Sequence, residues 1–173
     1  MDDAVSATID RSPARLSSLL GIGFGTVALL VLAVAAGPPA ALPGLVGAVA
    51  VGVGVCRGSR TAITLGGAGL FVGIVVAGAL GTRPSVALIT TVAAVLAWDA
   101  GQNAVTVGVR LGRVADTHRI EVVHVAATGV VTSLVAGCGY VVAGSAAGSR
   151  SPVALVALLV AAIVLTVALR GRN

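Results

Sequence analysis

Lysine is absent from this chain, which carries eleven arginines instead. Without lysine there is no phosphate-cradling glycine loop of the Gly-Lys-Ser/Thr type. Aromatic residues make up 2% of the sequence and charged residues 10%. A water-facing domain carries about 25% charged residues, so an ordinary soluble surface is excluded. The net charge of +5 does not signal nucleic acid. The arginines are dispersed at the ends of apolar runs, with no basic stripe and almost no aromatics between them, whereas a clustered basic face is the usual footprint. Cysteine occurs twice. Cys56 is expected at the inner end of the second apolar run and Cys138 toward the outer side of the fifth, on opposite membrane faces. A disulfide needs Cα atoms within ~7 Å, so the two are read as unpaired, small packing residues.

What the sequence has in abundance is apolar length: 57% of its residues are hydrophobic. A membrane-crossing helix needs ~20 apolar residues, and six such runs with short loops nearly exhaust the chain. The expected fold is an all-α polytopic transmembrane bundle. A polar tail over 1–16 precedes a six-span domain over 17–169, and 170–173 form a second tail. The spans are placed at 17–36, 41–56, 61–80, 85–109, 120–143 and 153–169. Pro38, Pro39 and Pro43 read as a tight turn after the first span. Arg11 and Arg15 ahead of an apolar run resemble a signal peptide, but that run is longer than a usual h-region, so the first span is expected to stay. The turns Gly81–Leu88 and Gly148–Leu155 look alike, which reads as convergent turn chemistry.

The arginines alternate between gaps. Arg11, Arg15, Arg57, Arg60, Arg110, Arg113, Arg119, Arg170 and Arg172 fall on one side, nine in all, against Arg83 and Arg150 on the other. Cationic loops resist translocation, so the richer side is expected to be cytoplasmic, with both termini inside the cell membrane. The chain holds 24 glycines, mostly within the runs. In lipid, small residues let helix backbones approach and gain van der Waals contact. The pairs Gly21/Gly25, Gly54/Gly58, Gly69/Gly73 and Gly108/Gly112 show four-residue spacing and indicate close packing.

One polar constellation stands out between Trp98 and His124. Asp99, Gln102, Thr106, Arg110, Arg113 and Thr117 recur at steps of three or four, one helix face, with Asn103 beside it. The fourth helix is therefore expected to continue past the membrane as an amphipathic cytoplasmic segment over 110–121. Asp99 sits fourteen residues past Ser85, or ~21 Å at 1.5 Å per residue. A carboxylate at that depth costs at least ~2.5 kcal/mol and should face other helices or water. Arg57 or Arg60 is the expected counter-charge.

Asp99, Gln102 and Asn103 form an intramembrane polar cluster with two readings: interhelical hydrogen bonds that lock the bundle, or an ion relay. A relay needs ionisable groups across the full depth, which the other spans do not supply, so the lock is preferred. His118, Glu121 and His124 spread over about 120° of a helix and are weak candidates for a metal, because two histidines three-residue steps apart are not the His-Glu-x-x-His pattern. No metal or other cofactor is expected. Glu121 is expected to pair with Arg119 or a histidine, and His124 to pack in the helix. No serine or cysteine lies near a base in sequence, so no catalytic residue is assigned and enzymatic activity is not expected.

The stretch from Trp98-Asp99 through Leu111-Gly112-Arg113-Val114-Ala115-Asp116-Thr117 to Arg119-Ile120-Glu121-Val122-Val123-His124 resembles an uncharacterised multi-pass membrane-protein family of halophilic archaea. The resemblance covers about 27 residues. It carries over no catalytic residue. Members of that family look to be encoded beside MoxR-type ATPases and partner membrane proteins, which implies a role in assembling or maturing a membrane complex. The resulting expectation is a non-enzymatic accessory or scaffold subunit in the lipid bilayer. Its segment Arg110, Arg113, Asp116, Arg119 and Glu121 offers both signs of charge to a membrane-protein or cytoplasmic ATPase partner. The alternative is a small transporter or channel subunit using the Asp99 cluster.

Overall fold

The computed structural model describes residues 13–111 and 118–145. Among them the chain is all-helical: α1 Arg15–Ala36, α2 Pro38–Arg57, α3 Arg60–Ala79, α4 Pro84–Leu111 and α5 His118–Ser145. All five are long and apolar enough to cross a membrane. The sixth expected span, 153–169, lies outside the described residues, as does the tail beyond it. The first compact unit ends at Gly137, and the second begins at Cys138.

Within the first unit, α1 to α4 form a ring. Each packs against its neighbours in sequence, and α4 closes the ring against α1. Its chemistry is the reverse of a soluble bundle. The buried side of α1 is Ser17, Gly21, Gly25, Ala28 and Leu32. Its large aliphatics point outward, with Val34 89% and Leu19 69% exposed. In water such a surface would be a liability. In hydrocarbon the outward leucines and valines match the solvent, and helices associate through small residues that admit close contact.

The α2–α3 crossing is where that contact is tightest. A Cβ on Gly47 would lie 2.6 Å from the Gly66 carbonyl oxygen, and one on Gly66 would lie 2.6 Å from the Val51 nitrogen. Only glycine at both positions allows the backbones to meet. The four-residue glycine pairs capture Gly54, Gly69 and Gly73 on this crossing but miss Gly47 and Gly66. Gly58, read as part of such a pair, has a turn role instead. It ends α2 at φ 65°, and Ser59 then donates its N–H to the Gly54 carbonyl. The Ser59 hydroxyl in turn accepts the Ala62 N–H and caps α3.

One expectation about the elements changes. Pro38 and Pro39 belong to the first turn of α2, where their missing N–H groups would be unpaired in any case, so α2 is 20 residues and of full spanning length. The expected amphipathic segment over 110–121 falls largely outside the described residues, with α4 described to Leu111 and α5 from His118. Residues 112–117 between them lie outside the described residues.

Candidate functional site: a polar network at the arginine-rich end

The ends of α1, α2, α3 and α4 that carry Arg15, Arg57, Arg60 and Arg110 lie together because the helices alternate in direction. There the apolar bundle gives way to a hydrogen-bonded network centred on α4. Its polar residues divide between two sides of the helix. Asp99 and Asn103, four residues apart, turn toward α5 and α1. Gln102 and Thr106, also four apart, turn toward α3.

On the first side, Asp99 Oδ2 lies 2.9 Å from His124 Nε2 on α5. Both side chains are part-exposed, Asp99 25% and His124 40%. Asn103 donates its side-chain N–H to the Ser17 hydroxyl at 3.1 Å. The backbone N–H of Ser17 in turn donates to Glu121 Oε2 at 2.6 Å. Ser17 and Glu121 are both buried, at 0% and 2% exposure.

The Glu121 contact answers a local deficit. Ala14 caps α1 and brings no side-chain acceptor, and the first turn of α1 holds no acidic residue. The first N–H groups of a helix have no partner within it, and the helix dipole places partial positive charge there. Glu121 supplies an acceptor and a negative charge from another helix. The same end of α1 is tied to α4 by the Ala14 N–H, which donates to the Ala104 carbonyl at 3.0 Å.

On the second side, Gln102 donates through Nε2 to the Arg60 carbonyl at 3.2 Å and to the Thr64 hydroxyl at 3.0 Å. Arg60 donates from Nη2 to the Thr106 hydroxyl at 2.9 Å. The backbones of α1 and α4 can approach to make this geometry because Gly21 sits on Gly101. A Cβ on Gly21 would be 3.1 Å from the Gly101 nitrogen.

Asp99, Gln102 and Asn103 do not act as one cluster: each bonds a different helix, and the partners differ from those expected. Asp99 meets His124, not Arg57 or Arg60, since the Arg60 guanidinium is turned to Thr106. His124 does not simply pack in α5. Glu121 is not presented to a partner from an exposed segment; its carboxylate is buried against α1. Arg119 is exposed on α5. Arg110 lies one residue before the end of α4 and His118 opens α5, with their side chains outside the described residues, as are Arg113 and Asp116. Among the described residues no three of His, Cys, Asp and Glu converge as a metal site. Cys56 and Cys138 are free and exposed.

Ser17 and Thr64 carry no signal in the sequence, and Arg60, expected as the counter-charge of Asp99, bonds Thr106 instead.

Elsewhere in the bundle the hydroxyls close on their own helix. Thr26, Thr90 and Thr91 each donate to the carbonyl four residues earlier. No buried side-chain polar atom among the described residues lacks a partner.

No curated protein and no solved structure matches the chain. Residues 11–166, which include every helix described above, match the model of a family of unknown function, DUF7519, and the chain belongs to that family.

Proposed function

We propose that this chain is a non-enzymatic accessory or scaffold subunit of a complex in the cell membrane. In this reading it has six spans, and both termini and the arginine-rich end lie on the cytoplasmic side. One observation carries it: the polar side chains of the Asp99 region are committed to other helices. Asn103, Gln102, Arg60 and Glu121 tie α1, α3, α4 and α5 at one level, and the threonines deeper in the bundle bond their own carbonyls. Such a network fixes helix positions, whereas a permeation path would need polar groups spread across the bilayer. The exposed Arg119, with Arg110, Arg113 and Asp116 near it in sequence, supplies the surface for a partner. The resemblance to the haloarchaeal family suggests a MoxR-type ATPase or a neighbouring membrane protein for that role.

The transporter or channel reading is favoured by one specific contact. Asp99 and His124 are two proton-exchanging groups 2.9 Å apart and part-exposed. Asp99→Asn separates the readings. Crosslinked pull-down from native membranes is expected to recover a partner with the wild-type chain and to lose it with the variant if the network positions the contact surface. Retained assembly with lost ion flux in proteoliposomes would establish transport instead.

A further inference from the structure

Away from this network, on the α2 side of α1, lies a cavity of about 430 Å³. Arg15, Ser18, Leu19 and Ile22 of α1 line it, with Val55 and Cys56 from the last turn of α2. The four α1 residues follow the spacing that keeps side chains on one helix face. Arg15 is exposed, and no ion pair among the described residues engages it. The nearest turn of α1 has no acidic residue, and Glu121 spends its carboxylate on the Ser17 N–H. Ser18 closes its hydroxyl on the Ala14 carbonyl at 2.6 Å. What remains is one guanidinium above an apolar wall, at the first residue of a spanning helix.

We propose that this pocket seats an anionic phospholipid, with its phosphate on Arg15 and its upper acyl chain along Leu19, Ile22 and Val55. Guanidinium matches phosphate in charge and in fork geometry. A free phosphate would leave the apolar wall unused. From Arg15 to Ile22 is seven residues, or about 10 Å along the helix, while a partner's spanning helix needs a groove of ~30 Å. The proposal rests on the membrane reading of the helices, which alkaline extraction of native membranes tests by itself.

Cys56 reports occupancy directly, because it lines the pocket and is exposed. The full chain carrying Cys138→Ser, so that Cys56 is the remaining thiol, is placed in nanodiscs of phosphatidylcholine alone or mixed with phosphatidylglycerol. The reaction rate of Cys56 with a neutral maleimide is then compared between the two lipids for each variant. The phosphatidylglycerol-dependent slowing is expected to be about fivefold greater with Arg15 than with Arg15→Gln, the worth of one cation near an anionic surface. Arg15→Lys is expected to retain most of it. Equal slowing in Arg15→Gln and wild type would mean a general surface effect and would overturn the proposal. So would no slowing in wild type. Equal protection in both lipids would also overturn it, assigning the pocket to a second copy or another segment of the chain.

Discussion

The backbone N–H of Ser17 is capped from 104 residues away, by the buried carboxylate of Glu121 at 2.6 Å. A helix start usually finds its acceptor in its own N-cap residue. Here the N-cap is Ala14, and the acceptor comes from α5. The bond therefore does two things at once: it satisfies α1 and fixes where α5 begins relative to α1 and α4.

Removing that acceptor should be costly. Glu121→Ala leaves a buried N–H unpaired and is expected to destabilise the bundle by about 1–3 kcal/mol. Glu121→Gln keeps an acceptor but loses the charge at the positive end of α1, so a smaller loss, about 0.3–1 kcal/mol, is expected. Equilibrium unfolding in detergent measures both. Equal losses for the two variants would show that the Ser17 bond contributes nothing beyond charge.

The α2–α3 crossing makes a sharper test. Gly47→Ala puts a methyl group 2.6 Å from the Gly66 carbonyl oxygen, and backbone cannot swing aside as a side chain can. The helices must separate, at an expected cost of about 1–3 kcal/mol. Gly52 lies on the same helix with nothing within 4 Å of its Cβ position. Gly52→Ala is expected to be neutral or to stabilise by up to ~1 kcal/mol through helix propensity. Similar melting shifts for the two would show that backbone proximity is not what Gly47 provides.

Asp99 and His124 should behave as a coupled pair. In a double-mutant cycle of Asp99→Asn and His124→Ala, the effects are expected to be non-additive by about 0.6 kcal/mol, with ~1.7 kcal/mol as the ceiling for such bonds between spanning helices. Unfolding free energies of the four proteins give the coupling directly. Additive losses would mean that the 2.9 Å contact carries no stability of its own.

The helices α1 to α5 are legible because apolar length alone marks them. The start of α2 is not, since Pro38 and Pro39 read as a turn although proline also fits a first helical turn. Asp99, Gln102 and Asn103 were legible as costly polar residues at depth. Their partners were not, because helical periodicity reports which residues share a face and is silent on what opposes it. Gln102 and Asn103 are adjacent in sequence yet bond α3 and α1 respectively. Glu121 was hidden for another reason. A carboxylate that caps a distant helix bonds a backbone N–H, and backbone donors leave no mark in the sequence. The same holds for Gly47 and Gly66, whose importance depends on which faces of two helices meet.

The proposed direction of the bundle in the membrane rests on its arginines, and reporter fusions test it turn by turn. A reporter active only outside the cell is expected to be silent when inserted after Gly58, in the turn between Arg57 and Arg60, and active when inserted after Gly81. Cationic turns are held back during insertion, and the first of these turns carries two arginines against one in the second. The C-terminal fusion after Asn173 decides the span count. Six spans return it to the silent side with Arg170 and Arg172, whereas five would leave it active and strand both arginines opposite the cationic turns. Replacing Arg57 and Arg60 together by glutamine should then weaken the bias and give mixed signals after Gly81. An unchanged pattern in that variant would mean that α1 alone sets the orientation, through Arg11 and Arg15.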